Sequence, residues 1–196
     1  MIDLRRDAWG HGLTWVAGIA HDAGIRHAIF DASAGRSAAR SGLTPCDEPA
    51  TIDSARLFGW PGADTEPVMR VAGRVLSTKE LRAGEGVSYN HTHHAGTDTR
   101  VALVTGGFGH GIPRALGNEA DVEIRGRLFP IIGRVAMDVC VVDIGHAPIR
   151  HGEEVVYFGG PGPARHALAD WTRITGWTAA ELVCALGLRA AREETP

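Results

Sequence analysis

The stretch Val104-Thr105-Gly106-Gly107-Phe108-Gly109-His110-Gly111-Ile112-Pro113-Arg114 decides how the rest of the chain is interpreted. Its glycines permit a tight backbone path. Their spacing matches neither a P-loop nor a dinucleotide-binding fingerprint, so the stretch does not predict phosphate binding. Because the preceding residues Arg100–Thr105 have the pattern of a strand, we predict a tight loop that carries Phe108 and His110 at the end of that strand.

Around this loop, from Pro67 onward, apolar and polar residues alternate with the period of two expected for strands. In Arg134–Val142 the alternation is sharp, since every second residue from Val135 to Val141 is apolar. Glycine turns separate these segments, and several short strands with such turns are typical of a small antiparallel β-barrel or sandwich. The candidate strands are Val68–Leu76, Gly86–Asn90, Arg100–Thr105, the hairpin Val122–Phe129, Arg134–Val142 and Glu154–Phe158.

The two ends of the chain have a different pattern. Residues 13–60 combine an apolar helix at Leu13–Ala20, a short strand at Arg26–Ala32, a small-residue segment at Ser33–Arg40 that suits a helix, and a second strand at Ala55–Gly59. After the barrel, Ala164–Thr172 and the segment that follows the capping box Thr178-Ala179-Ala180-Glu181 predict two helices. We therefore predict a mainly β fold with two parts, a short α/β region at 1–62 and a β-domain with a helical tail at 63–196.

Most of residues 67–187 resembles the C-terminal β-domain of alanine racemases. Four segments carry the resemblance, in family order and spacing: Val87-Ser88-Tyr89, Gly107–Arg114, Gly126-Arg127 with Pro130, and Gly133–Asp138. The family has Gly-Tyr-Ala-Asp-Gly-x-Pro-Arg in the second segment, and its tyrosine is one of two catalytic bases. Here Phe108 occupies that position, and a benzyl group cannot carry a proton. The resemblance also implies that residues 13–60 are a remnant of the family's TIM barrel.

The family reaction requires a lysine that forms a Schiff base with pyridoxal phosphate. Of the 20 Lys and Arg residues, Lys79 is the single lysine. It lies in a polar segment between predicted strands, as expected for a solvated surface residue. We therefore expect no bound cofactor, and in particular no pyridoxal phosphate, and no racemisation of alanine by the chain alone.

Ten histidines in 196 residues suggest another source of acid/base chemistry. The imidazole pKa of about 6.5 lets histidine both take and give a proton near neutral pH. The candidate catalytic residues are His110, His93, His91 and Asp138, and the candidate substrate-binding residues are Phe108, Met137, Arg114 and Tyr89. Two other interpretations stay open: polar loop histidines without a function, or a metal site built on the His-x-His sequence at 91–93.

In the racemase family the tyrosine loop enters the partner subunit, so the resemblance implies a homodimer with a shared cleft for a small molecule. The net charge of −3 disfavours a nucleic-acid partner, and the absence of a long apolar run disfavours a membrane partner. Without a signal-peptide core, a cytoplasmic location is expected.

Three functions follow from these observations. The first is an enzyme independent of pyridoxal phosphate that isomerises, cyclises or eliminates, for example in specialised-metabolite biosynthesis. The second is a non-catalytic dimeric scaffold or small-molecule binder. The third is one half of a split racemase, which the phenylalanine at 108 disfavours.

Overall fold

The computed structural model describes residues 1–34 and 40–193 of the chain. Contacts divide the chain into two compact units: residues 1–66 together with the chain from Ala179 onward, and Pro67–Thr178. The last helix thus groups with the N-terminal unit, whereas the sequence analysis assigned it to the β-domain. The helix predicted at Ser33–Arg40 falls mainly on residues 35–39, which lie outside the described residues. No helix in the described ranges has the length and apolar character needed to cross a membrane.

The unit 67–178 is a closed antiparallel barrel of six strands, which confirms the predicted fold class. The strands of this unit are β4 (Val71–Leu81), β5 (Gly86–Val87), β6 (His93–His94), β7 (Thr99–Thr105), β8 (Asp121–Ile124), β9 (Arg127–Ile132), β10 (Val139–Asp143) and β11 (Glu154–Phe158). The strand order around the barrel is β10-β7-β4-β11-β8-β9, and β5 pairs with β6 in a separate two-stranded sheet.

Buried residues of the barrel strands form the core of this unit. Seven of them are fully buried, and burial of each larger aliphatic side chain stabilises the fold by roughly 1.5–3 kcal/mol. The seven residues are Val75, Ala102, Val104, Val122, Ile124, Val142 and Val155.

Helix α4 (Ala167–Thr175) packs Trp171 edge-on against Tyr157 and Phe158 of β11.

The structure corrects four strand predictions. The strand predicted at Val68–Leu76 runs instead from Val71 to Leu81, so Lys79, expected between strands, lies within this one. The strand predicted at Arg134–Val142 begins only at Val139, because residues 136–138 hydrogen-bond to the glycine loop instead of continuing the ladder. Of Gly86–Asn90, only the first two residues are extended, since Ser88 and Asn90 have positive φ. The segment predicted as a strand at Ala55–Gly59 is instead a helix.

That helix, α3 (Ser54–Phe58), shows how local caps override a strand-like composition. The side chain of Asp53 accepts a hydrogen bond from the amide of Ala55 at 2.7 Å, which caps the N-terminus. Gly59 ends the helix in the left-handed conformation, with φ of 65°.

The first unit contains a three-stranded parallel sheet of β1 (Ile2–Asp3), β2 (His27–Ile29) and β3 (Thr44–Pro45). Its other elements are α1 (Arg5–Trp9), α2 (Leu13–Asp22), α3 and α5 (Ala179–Gly187). Apolar residues from the sheet and helices form one core, which includes Ile2, Leu4, Ala17, Ala28 and Phe58.

Helix α1 is a left-handed turn. Four consecutive residues, Arg6 to Trp9, have φ between 52° and 59°, and the left-handed conformation costs roughly 1–2 kcal/mol per L-residue. Arg192 holds this turn by pairing with Asp7 and by donating to the carbonyl oxygens of Gly10 at 3.3 Å and Gly187 at 2.8 Å. The strained segment is therefore fixed by residues far away in sequence.

Candidate functional site

The glycine loop that follows β7 lies against the segment that precedes β10. Three successive contacts join them: the amide of Gly106 donates to the Asp138 carbonyl at 3.0 Å, that of Phe108 to Ala136 at 2.9 Å and that of Gly109 to Met137 at 2.8 Å. A short 3-10 turn at Phe108–His110 follows. The backbone of the glycine loop is thus held by hydrogen bonds to residues 136–138.

Glycine is required in this loop because the two backbones approach closely. A Cβ atom at Gly107 would collide with the carbonyl oxygens of Ala136 and Met137. At Gly109 a Cβ atom would lie 3.3 Å from Cγ of Met137 and 3.6 Å from Oδ1 of Asp138. The carboxylate of Asp138 therefore lies beside the residue that precedes His110.

The same segment also holds the loop that carries Tyr89. The hydroxyl of Ser88 donates to the carbonyl of Arg134 at 2.6 Å, and a Cβ atom at Gly133 would lie 2.8 Å from Cβ of Ser88. Residues 133–138 thus connect the Tyr89 loop to the Phe108 loop.

Three large apolar side chains on these connected segments are exposed. Phe108 is 39%, Met137 57% and Tyr89 65% accessible. The guanidinium of Arg114 lies over the Phe108 ring, 5.3 Å from its centroid, in cation–π geometry. We call Tyr89, Phe108, Met137 and Arg114, with the exposed His110 and Asp138, the Phe108 face.

The predicted histidines do not form one cluster within the described chain. His91 belongs to the 3-10 turn Tyr89–His91, and its ring lies 6.1 Å from that of His94. His93 lies in β6, paired with Val87. No hydrogen bond or ring contact among the described residues joins His110 to His91 or His93. In the same part of the chain, no group of three or more His, Cys, Asp and Glu side chains is placed to hold a metal ion.

Three further residues near this loop differ in their environments. Arg134 and Asp138 are exposed, and no ion pair joins them in the described residues. Cys140 is 1% accessible, its thiol donates to the carbonyl of Gly106 at 2.8 Å, and burial raises the pKa of the thiol to about 12. Cys140 is therefore a buried residue of the barrel core. It does not suit the role of a nucleophile, since a nucleophilic cysteine needs a lowered pKa.

Pyridoxal phosphate does not fit the residues of this chain. Lys79, the one lysine of the sequence, lies exposed on β4 opposite Val101. A Schiff base at that position would hold the cofactor in solvent on the barrel wall, away from the Phe108 face. The benzyl group of Phe108 cannot serve as a base, so two of the chemical requirements are missing together.

A buried histidine in the first unit, His11, was not predicted from the sequence. The His11 ring stacks on Phe58 with 3.9 Å between centroids, and Trp60 lies 6.4 Å away. Nδ1 of His11 bonds to the carbonyl of Ala8 at 3.0 Å, which leaves Nε2 buried without a partner among the described residues. Burial lowers the pKa of His11 to about 4. The flanking glycines Gly10 and Gly12 were the one sequence signal for a close approach here.

Comparisons with known proteins agree with this geometry. The family model described as "Alanine racemase, C-terminal domain" matches residues 68–194. The alanine racemase of Desulfovibrio desulfuricans is 36% identical over 154 residues, which is 77% of this chain and 38% of that protein. The alanine racemase of Mycobacterium tuberculosis is 42% identical over 120 residues, covering 60% and 31%.

A solved structure extends the likeness. The alanine racemase from Streptomyces coelicolor superposes with a TM-score of 0.62 at 26% identity, covering 93% of this chain and 60% of that one. The chain spans between 28% and 45% of the length of the curated relatives it matches. The 154-residue match is longer than the stretch from residue 68 to residue 196, so it also includes residues that precede the barrel unit.

Proposed function

The chain belongs to the alanine racemase C-terminal domain family, and from that premise we propose that it is a homodimeric enzyme that uses His110 and Asp138, without pyridoxal phosphate, for proton transfer on a small molecule. The observation that carries the proposal is the Phe108 face. Its backbone is fixed by three hydrogen bonds, yet its apolar side chains are exposed.

Exposed apolar side chains on a rigid backbone favour an interface. Phe108, Met137 and Tyr89 lie on segments joined through residues 133–138, and aromatic residues and methionine are enriched in the cores of protein interfaces. A second copy that covers this face would make a cleft lined by both chains. The family resemblance supports the same arrangement, since the corresponding loop there enters the partner subunit.

His110 and Asp138 supply the chemistry of such a cleft. A histidine accepts or donates a proton near neutral pH, and a carboxylate beside it stabilises the imidazolium form. Removal of water by the partner would strengthen these interactions. The reactions within reach are proton shifts that need no electron acceptor: isomerisation, cyclisation or elimination. His91 lies in the same 3-10 turn as Tyr89, and His93 follows it in β6.

The experiment has two parts. Light scattering should give a dimer for the native chain and a monomer for Phe108→Ser. In D₂O, a panel of small amino and keto acids should incorporate deuterium at carbon, as detected by NMR. His110→Ala and Asp138→Asn should lose at least tenfold in rate, whereas His146→Ala, an exposed histidine outside the face, should not. Equal rates in all variants would remove His110 and Asp138 from the proposal.

A non-catalytic binder is the second candidate. It is favoured by the exposure of both His110 and Asp138 and by the lack of a hydrogen bond between them in the described chain. A binder would show saturable ligand shifts that survive His110→Ala, with no deuterium incorporation. Racemisation on addition of a barrel-bearing partner chain would instead support half of a split racemase.

A further inference from the structure

A groove of about 480 Å³ opens in the barrel unit, away from every residue of the Phe108 face. It lies between the turn that joins β8 to β9 and the segment that links β11 to α4, and all of its lining residues fall within Pro67–Thr178. Its volume is in the range of small-molecule sites. Five of its lining residues are charged: Arg70, Arg125, Glu123, Glu153 and Glu154.

One ion pair in the groove is already complete. The guanidinium of Arg70 pairs with both carboxylate oxygens of Glu154, one of them at 3.2 Å. The Arg70 hydrogen bonds hold the pKa of Glu154 below its usual value. Because the two side chains already bond to each other, they have few hydrogen-bond donors and acceptors left for a ligand.

Within the described residues, Arg125 has guanidinium donors without a hydrogen-bond partner. Its nearest carboxylate oxygen, Oε1 of Glu153, is 3.8 Å away, well beyond the 2.7–2.9 Å of a charge-assisted hydrogen bond. Its Nη1 donates to the carbonyl of Pro148 at 3.3 Å. The side chain is 56% accessible, so the remaining nitrogens of the fork can receive an anion.

Carboxylate oxygens complement these donors. Oε2 of Glu123 accepts the amide of Ala164 at 3.0 Å, and the described residues provide no hydrogen bond for its other oxygen. A Cβ atom at Gly162 would collide with this carboxylate, so glycine keeps the groove open beside it. Oε2 of Glu153 is buried without a partner in the described chain, and buried acceptors are stabilised by a donor.

We propose that this groove binds a zwitterion, with the ligand carboxylate on Arg125 and the ligand ammonium on Glu123, supported by the negative charge of Glu153. The shared chemistry is that of a free α-amino acid or a short peptide. A neutral ligand would leave the fork of Arg125 and the carboxylate of Glu123 unmatched, and a simple cation or anion would match one of them. The proposal is independent of the function assigned to the Phe108 face.

NMR titration of the full chain tests it, with the amides of Gly159 and Gly162 as reporters. L-alanine or glycylglycine should produce saturable shifts, and the stronger of the two identifies the source as free amino acid or peptide. Arg125→Gln and Glu123→Gln should each weaken binding at least fivefold. Arg150→Gln, an exposed arginine outside the groove, should leave it unchanged.

Two probes that each carry only one of the two charges complete the test. Ethylamine and acetate each carry half of the zwitterion and should bind at least fivefold more weakly than the better zwitterion. The proposal is overturned if either half-ligand binds as well as the zwitterion, if affinity is unchanged in either groove variant, or if no saturable shift appears. Retained far-UV circular dichroism in each variant confirms that a loss of binding reflects the groove and not the fold.

Discussion

The amide of Phe108 donates a hydrogen bond to the carbonyl of Ala136 at 2.9 Å. This contact fixes the backbone at the position where, by the sequence resemblance, the alanine racemase family has its catalytic tyrosine. The side chain that this backbone carries here is a benzyl group, which cannot exchange a proton.

Gly107→Ala should detach the glycine loop. The new Cβ atom would collide with carbonyl oxygens of residues 136 and 137, and inserting a methyl group into such a packed contact costs about 1–3 kcal/mol. Urea unfolding should show this loss, with faster hydrogen exchange at Phe108 and Gly109. Gly96→Ala is the matched control, since no atom lies within 4 Å of that position. Equal stability of the two variants would contradict the close approach.

Phe108→Tyr should restore the family's phenol without restoring racemisation. Lys79 is exposed on β4, so no lysine is available to hold pyridoxal phosphate opposite residue 108. The measurement is interconversion of L- and D-alanine with added cofactor, together with the absorbance of an internal aldimine. Turnover by this variant, abolished by Lys79→Gln, would refute the placement of the lysine outside the site.

Stability should fall as pH is lowered through the range of His11. Its pKa is about 4 in the folded chain and about 6.5 when unfolded, so below pH 6.5 the unfolded chain takes up a proton that the folded chain does not. The free energy of unfolding is highest above pH 6.5 and should decline by about 3 kcal/mol at most toward pH 4.

His11→Phe provides the check on that slope. The variant keeps a ring to stack on Phe58 and removes the titrating nitrogen, although it loses the hydrogen bond to Ala8. It should be less stable at pH 7 but less dependent on pH between 6.5 and 4.5. His146→Gln, at an exposed position, should retain the native pH dependence. If His11→Phe showed the same pH dependence as the native chain, the burial argument would be wrong.

Cys140 should be the least reactive of the three thiols. Burial raises its pKa to about 12, and against an ordinary cysteine pKa of 8.5 this reduces the thiolate fraction on the order of 1000-fold. A variant that retains only Cys140 should react with a disulfide reagent only as fast as it unfolds. A variant that retains only the half-buried Cys46 should react directly in the native state.

The barrel could be predicted from the sequence because its strands are short apolar runs separated by glycine turns, which is a local signal. Arg100–Thr105 and Glu154–Phe158 both lie in barrel strands, β7 and β11. The failures occur where another segment intervenes: residues 136–138 alternate as a strand would, yet their carbonyl oxygens accept hydrogen bonds from the Phe108 loop. The cap at Asp53 likewise decides in favour of a helix over a strand-like run.

The candidate site was predicted only in part, for the same reason. The Phe108 loop was located because glycine spacing is a local signal, but its hydrogen bonds to residues 136–138 of the same chain were not predicted. The relative placement of His91 and His93 depends on positive φ values at Ser88, Asn90 and His91. These residue types do not predict such values. His11 was missed because its burial results from Phe58 and Trp60, distant in sequence.

The left-handed turn at Arg6–Trp9 bears on the order of events during synthesis. Its fixing residue, Arg192, leaves the ribosome after the whole of the barrel unit. Residues 67–178 can close their barrel while the chain is still growing, since domains generally fold as units during translation. Residues 6–9 therefore gain these fixing contacts only after Arg192 has been made. A nascent chain in which residues 67–178 have left the ribosome but Arg192 has not would carry a closed barrel and an unfixed turn at residues 6–9.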